Sequence, residues 1–147
     1  MNRDFVEMLS ALSAAGVEYL VIGAHAMAAH GVPRATGDLD IWIQPSTVNA
    51  ARVHSALERF GAPLHDLTLE DLTSPDLVFQ IGLPPARIDI LTSISGVSFD
   101  EAWPRRLTAR VGDLEVPILG RDDFLRNKRA VGRPKDLADI ALMEEQA

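Results

Sequence analysis

The fold depends on one stretch of the chain, Tyr19-Leu-Val-Ile-Gly-Ala-His-Ala-Met-Ala-Ala-His-Gly-Val-Pro-Arg-Ala-Thr-Gly-Asp-Leu-Asp-Ile-Trp-Ile43. Residues 17–22 are β-branched, aromatic and apolar, which predicts a short buried strand that ends at Gly23. The alanine-rich residues 24–30 favour a helix, which Gly31 and Pro33 end. The chain then returns as a second apolar run that carries two carboxylates.

The second run, residues 38–43, predicts a strand whose acids point the same way. Side chains alternate along a strand, so Asp38 and Asp40 share one face with Trp42 beyond them. Two like charges beside a core are costly unless a cation or a basic group neutralises them, and this cost suggests a metal site. The alternative is a solvated face of an edge strand.

A third acid lies on a later strand. Residues 76–81 and 87–91 predict two strands, separated by residues 82–85, which contain a glycine and two prolines. Asp89 lies on the second of these strands and can join Asp38 and Asp40 if the strands are neighbours. The sequence does not establish that adjacency.

The remaining segments predict supporting elements. Amphipathic helices are expected over residues 2–15, 47–60, 122–131 and 134–145, with a shorter helix over residues 98–103. Residues 107–111 and 114–118 predict a hairpin beyond the edge of the main sheet. The pattern as a whole indicates one α/β or α+β domain that covers residues 1–147.

The composition fits a soluble protein. The chain has 147 residues, of which 47 % are hydrophobic, and it has no cysteine. It can therefore fill a core without disulfides, and a reducing environment is expected. No apolar run approaches the roughly 18 residues that span a bilayer. We accordingly predict a cytoplasmic protein without a membrane partner.

Positive charge is concentrated in one segment of an acidic chain. The net charge is −7, which argues against a generally basic surface for nucleic acid. Residues 121–135 nevertheless contain a cluster of basic side chains, namely Arg121, Arg126, Lys128, Arg129, Arg133 and Lys135. Such a cluster suits a polyphosphate or an RNA end. A solvated helix face is the alternative.

Gly23 stands where a strand passes into a helix. That order recurs at phosphate sites, because glycine lets the backbone approach a ligand and a helix N-terminus offers free N–H groups. An ordinary turn is the alternative explanation.

Several motifs in this order resemble a known superfamily. They are Gly23-Ala-His-Ala, His30-Gly31, Arg34-x-Thr36-x-Asp38-x-Asp40, Arg87-Ile-Asp89-Ile and Lys128-Arg-Ala-x-Gly-Arg133-x-Lys135-Asp136-Leu-x-Asp139. Across residues 15–145 the chain resembles the DNA polymerase β-like nucleotidyltransferases, in a minimal bacterial branch similar to abortive-infection (AbiEii-type) toxins. The resemblance implies a nucleotidyltransferase fold, with a mixed sheet of about four to five strands flanked by helices and C-terminal helices.

The resemblance also implies roles for individual residues. Asp38, Asp40 and Asp89 would hold one or two Mg²⁺ ions, and Asp89 would help to activate the attacking hydroxyl. The nucleotide would be bound by Gly23, Ala24, Arg34, Thr36 and Lys128, with Arg133 or Lys135 as further phosphate contacts. Pairing of these C-terminal cations with Asp136 and Asp139 is the alternative.

One position departs from the family pattern. Many active members carry Gly-Ser or Gly-Gly after the first strand, whereas this chain has Gly23-Ala24. Ala24 leaves room for backbone contacts but offers no hydroxyl. Weak nucleotide affinity or a changed nucleotide preference would follow.

The resemblance leaves more than one function open. The first is Mg²⁺-dependent transfer of NMP from an NTP to a hydroxyl of a tRNA 3′ end or a protein, within a toxin–antitoxin or phage-defence system. A small antibiotic-type molecule is a further acceptor. The alternative from another class is a weak or inactive nucleotidyltransferase-fold protein that acts as a binding or regulatory partner.

Overall fold

The structure is a computed structural model that describes residues 1–33 and 37–145. Its helices and strands, in chain order, are α1 (Arg3–Ala14), β1 (Tyr19–Ile22), α2 (Gly23–Ala29), β2 (Leu39–Ile43), α3 (Thr47–Phe60), β3 (Val78–Ile81), β4 (Ile88–Leu91), α4 (Phe99–Ala102), β5 (Leu107–Val111), β6 (Leu114–Ile118), α5 (Arg121–Val131) and α6 (Pro134–Glu145). Short 3₁₀ turns cover Asp71–Thr73 and Trp103–Arg105.

The strands form one mixed sheet in the order β3-β4-β2-β1-β6-β5. β1 and β2 are antiparallel, whereas β6 runs parallel to β1 and β4 runs parallel to β2. The predicted mixed sheet flanked by helices is confirmed. It has six strands rather than about four to five, because the hairpin of β5 and β6 pairs with β1 instead of lying beyond the sheet edge.

The register between β2 and β4 matters most for the acids. β2 and β4 are neighbours, and Asp40 pairs with Asp89 while Leu39 pairs with Ile88. Residues at the same register on adjacent strands point to the same face of a sheet. Asp40 and Asp89 therefore lie side by side, an adjacency that the sequence left open.

The two faces of β2 have different surroundings. Leu39, Ile41 and Ile43 are fully buried in the core. On the other face Trp42 is buried against Phe99 of α4, with ring centroids 5.1 Å apart in an edge-to-face arrangement. The acid-bearing face is thus covered at the Trp42 end, and polar residues occupy its other end.

The C-terminal hairpin is tied to the first half of the chain. Val21 of β1 pairs with Ile118 of β6, and the Leu119 N–H donates to the Val21 carbonyl at 2.9 Å. His30 Nε2, just after α2, lies 2.8 Å from the carbonyl oxygen of Leu119.

Among the described residues no helix is long and apolar enough to cross a membrane.

A buried amide joins α3 to the ends of β1 and β2. The Asn49 side chain accepts a hydrogen bond from the Glu18 N–H at 2.8 Å and donates to the carbonyls of Glu18 and Gln44 at 3.0 and 2.7 Å. Asn49 is only 3 % exposed, so water cannot replace these partners.

We expect Asn49→Ala to lower the free energy of unfolding by about 2–4 kcal/mol, because it removes three hydrogen bonds and leaves the Glu18 N–H and the Gln44 carbonyl without this partner, whereas the Glu18 carbonyl keeps the Gln44 N–H. Urea denaturation measures this loss. Val48→Ala, at an exposed position on the same helix, is the matched control, and we expect it to change the free energy by less than about 0.5 kcal/mol. Equal losses in the two variants would contradict the role given to the amide.

Candidate functional site

One polar cavity contains every predicted site residue that the structure describes. Its volume is about 440 Å³, and its lining consists of Gly23, Ala24, Asp38, Asp40, Arg87, Asp89, Lys128, Arg133, Lys135 and Asp139. Carboxylates and basic side chains are equally represented in that lining. Arg34 and Thr36, the other predicted nucleotide contacts, lie outside the described residues.

The carboxylates interact strongly because they are close and partly buried. Burial, with the negative charges of Asp89 and Asp38 as the next largest causes, raises the pKa of Asp40 to about 6. Arg87 and Lys128 oppose this shift but do not cancel it. The cluster is therefore a place where additional positive charge is electrostatically favoured.

Gly23 is required beside Asp40 for two reasons. Its φ of +69° is in the left-handed region that side chains disfavour, and a Cβ there would lie 2.5 Å from Asp40 Oδ2. The glycine between β1 and α2 is therefore more than a turn. It lets the backbone approach the carboxylate on the adjacent strand.

Arg87 links two of the three acids. Its Nε and one terminal nitrogen donate to the two carboxylate oxygens of Asp89 at 2.8 and 3.3 Å. The same terminal nitrogen lies 3.4 Å from Asp38 Oδ2, and the Arg87 backbone N–H donates to Asp38 Oδ1 at 3.2 Å. One residue thus contacts both oxygens of Asp38 and both oxygens of Asp89.

The basic C-terminal helices close the other side of the cavity. Lys128 Nζ on α5 lies 3.2 Å from Asp136 and 3.3 Å from Asp139, both on α6. Arg133 also binds Asp136, through its Nε at 2.7 Å and its backbone N–H at 3.1 Å. Asp136 and Asp139 are buried, so this pairing is internal rather than a surface helix pair. Lys128 therefore lines the cavity, and it also forms the pairs with Asp136 and Asp139 that the sequence left open as the alternative to phosphate binding.

The acids suit a divalent cation chemically but do not form a closed metal site in this conformation. Carboxylate oxygens are hard ligands of the type that Mg²⁺ prefers. Within residues 1–33 and 37–145, however, no three His, Cys, Asp or Glu side chains are grouped so that they could hold a metal ion. In this arrangement the cationic side chain of Arg87 contacts oxygens of Asp38 and Asp89.

The sequence motifs contained Arg87 and Asp139, but neither residue was predicted to be part of the site. Arg87 stands two residues before Asp89 in the strand predicted over residues 87–91, so strand alternation already placed both side chains on the same face. That spacing was the available signal. Asp139 was expected only as a pairing partner of the basic residues, because its place in the cavity depends on how α6 packs against α5.

A second cavity adjoins the first and is less polar. Its volume is about 330 Å³, and it shares Gly23, Asp40, Lys128 and Arg133 with the polar cavity. The rest of its lining is apolar or neutral and consists of Ile22, Leu91, Ser93, Ile94, Ser95, Asn127 and Val131. The polar cavity would therefore accommodate a charged group, and the adjoining cavity would accommodate an uncharged ring.

Structural comparison identifies the fold. A protein from Thermotoga maritima, TM1012, whose assignment as a nucleotidyltransferase is provisional, superimposes with a TM-score of 0.63 at 15 % identity, over 99 % of this chain and 92 % of that chain. The lincomycin-bound lincosamide antibiotic adenylyltransferase LnuA superimposes with a TM-score of 0.62 at 14 % identity, over 100 % of this chain and 98 % of that chain. This chain has the nucleotidyltransferase fold. No protein-family model matches the sequence, and no curated protein matches it.

The Asp136 pairing predicts a specific pH dependence of stability. The Arg133 hydrogen bonds, assisted by Lys128, hold the pKa of Asp136 well below its usual range. A carboxyl group with a lowered folded-state pKa stabilises the fold above its unfolded pKa of about 4 and loses that contribution as the pH falls. We expect Asp136→Asn to cost about 3–5 kcal/mol at pH 7, and the deficit to shrink below about pH 4.

Urea denaturation of the wild type and the Asp136→Asn variant from pH 7 to pH 2 measures this difference. Asp122→Asn, which alters an exposed carboxylate on α5, is the control, and we expect a change below about 0.5 kcal/mol at every pH. A deficit for Asp136→Asn that stays constant down to pH 2 would contradict the ionic basis of the pairing.

Proposed function

We propose that this protein is a nucleotidyltransferase that moves NMP from an NTP to an acceptor hydroxyl and releases pyrophosphate. The supporting observation is the polar cavity, in which Asp38, Asp40 and Asp89 face a set of basic side chains within a nucleotidyltransferase fold. In the reaction the acceptor oxygen bonds to the α-phosphorus and the bond to the pyrophosphate oxygen breaks. The hydroxyl proton passes to a carboxylate of the cluster, a role that the family resemblance gives to Asp89.

The proposal includes dependence on Mg²⁺. Asp38, Asp40 and Asp89 are the residues that would hold one or two ions, because they supply hard oxygen ligands in a setting that favours added positive charge. When bound, Mg²⁺ would neutralise phosphate charge and support both the attacking and the leaving oxygen.

The basic residues would bind the polyphosphate. Lys128, Arg133 and Lys135 line the same cavity as the acids, and phosphoryl-type transfer depends on positioning and neutralisation of charge. Gly23 and Ala24 line it as well and leave space for the phosphates to approach the backbone. Arg34 and Thr36 are proposed as further contacts on the basis of the family resemblance.

A small-molecule hydroxyl is the acceptor that the structure supports best. LnuA adenylates a lincosamide antibiotic, and this chain spans 98 % of its length, so the fold can serve a small acceptor without an added domain. The adjoining cavity, most of whose lining is apolar or neutral, offers space for such a molecule. The tRNA 3′ end and a protein hydroxyl, within a toxin–antitoxin or phage-defence system, are the acceptors that the family resemblance suggested.

We expect Asp38→Asn and Asp40→Asn each to reduce label transfer from [α-³²P]NTP to below about one hundredth of wild type, because each removes a carboxylate that would hold Mg²⁺ beside the reacting phosphates. Asp113→Asn, in the exposed turn between β5 and β6, is the matched control and should retain full activity. Circular dichroism would verify that all variants are folded. Transfer that survives in both acid variants would overturn the assignment of the acids.

The acceptor is identified by incubating the protein with labelled NTPs, Mg²⁺ and cell extract. Ribonuclease, protease and size filtration then distinguish labelled RNA, protein and small molecules. Label in the small-molecule fraction is the expected result. Label in RNA or protein would show that the acceptor is one of these macromolecules instead, and the proposed transfer of NMP would still hold.

Calorimetry distinguishes this enzyme from an inert binding partner. We expect at least one NTP to bind in the presence of Mg²⁺, whereas no binding of any NTP at millimolar concentration would favour the regulatory alternative.

Ala24 allows the affinity to be tested by gain of function. We expect Ala24→Ser to strengthen NTP binding about three- to tenfold, because the added hydroxyl can donate one hydrogen bond worth about 1 kcal/mol. Ala28→Ser, on the same helix but outside the cavity lining, is the control and should leave the affinity unchanged. Unchanged or weaker binding by Ala24→Ser would show that a hydroxyl at residue 24 does not meet the phosphates.

A further inference from the structure

Arg87 contacts the acids in the way that a bound cation would. Its guanidinium donates to both oxygens of Asp89, and it lies 3.4 Å from Asp38 Oδ2. The oxygens that a divalent ion would need on these two residues therefore face a positive charge supplied by the chain itself.

The charge in the cluster is only partly balanced by this contact. Arg87 supplies one positive charge, whereas Asp38, Asp40 and Asp89 together supply three acidic groups. Lys128, Arg133 and Lys135 also line the cavity, and the first two of them bind acids of α6. A divalent ion would bring more charge to the three acids than a single guanidinium does.

The side chain of Arg87 also has open space into which it can move. It is 27 % exposed and lines the polar cavity, so its displacement would not require the core to open. Arg105 is the contrasting case. It donates to both carboxylate oxygens of Asp123 at 3.0 and 2.8 Å, which is as close as the contact between Arg87 and Asp89. Arg105 lines neither of the two cavities at the acids.

We propose that Arg87 is an exchangeable internal counter-ion, which holds Asp38 and Asp89 in place until a divalent cation displaces its guanidinium. The inference rests on the divalent-cation site of the proposed function. Arg87 then acts as a positioning residue that competes with the metal, and the metal affinity of the protein reflects the cost of breaking its two carboxylate contacts.

The test measures binding of Mn²⁺, without nucleotide, to the full-length wild type, Arg87→Gln and Arg105→Gln by electron paramagnetic resonance of the free ion. Removal of the competing cation should tighten binding to Arg87→Gln at least tenfold. Arg105→Gln should match the wild type. Measurable binding that is equal or weaker in Arg87→Gln would overturn the exchange while leaving the metal site intact. No binding to any of the proteins would overturn the metal site itself and the exchange with it.

A measurement on the wild type keeps the test independent of how the variants fold. The Nε–H resonance of Arg87 is assigned by its absence in Arg87→Lys and then followed by NMR during titration with Mg²⁺. We expect this resonance to shift and to exchange faster with solvent as Mg²⁺ binds, because its bond to Asp89 is lost. A resonance that stays unchanged at saturating Mg²⁺ would show that the guanidinium is not displaced.

Discussion

Two carboxylates lie side by side on neighbouring parallel strands, and much of the surrounding structure follows from the charge that this creates. Asp40 of β2 and Asp89 of β4 share one register, so their side chains face the same partly buried space. Like charges in such a place must be balanced. Arg87, immediately before β4, and Lys128 on α5 supply part of that balance, and the polar cavity lies where these groups meet.

One network of ion pairs both positions the basic residues of the polar cavity and holds α6 against α5. Asp136, which is fully buried, accepts hydrogen bonds from Lys128 and Arg133 and thereby fixes the basic residues that face the strand acids. The same contacts hold α6 against α5. The sequence indicated that the basic segment is a solvated surface or a polyphosphate site. In the structure, part of its positive charge neutralises acids of the same chain.

Much of this arrangement could be predicted from local patterns. Alternation along β2 placed Asp38 and Asp40 on one face, and apolar periodicity located the helices closely. The neighbouring position of β4 could not be predicted, because strand order depends on contacts between distant segments rather than on the pattern within either strand. The same limit applied to the hairpin of β5 and β6, whose pairing with β1 carries no local signal.

The pairing of β6 with β1 has a consequence for synthesis of the chain. β1 is made early, but the strand that covers its second edge, Leu114–Ile118, is made late, and the last residue lining the polar cavity is Asp139. Until β6 has been made, β1 is an apolar strand with one unpaired edge. Unpaired strand edges are templates for association with other chains. The C-terminal hairpin therefore closes an edge of β1 that would otherwise be open to association, and it extends the sheet as well.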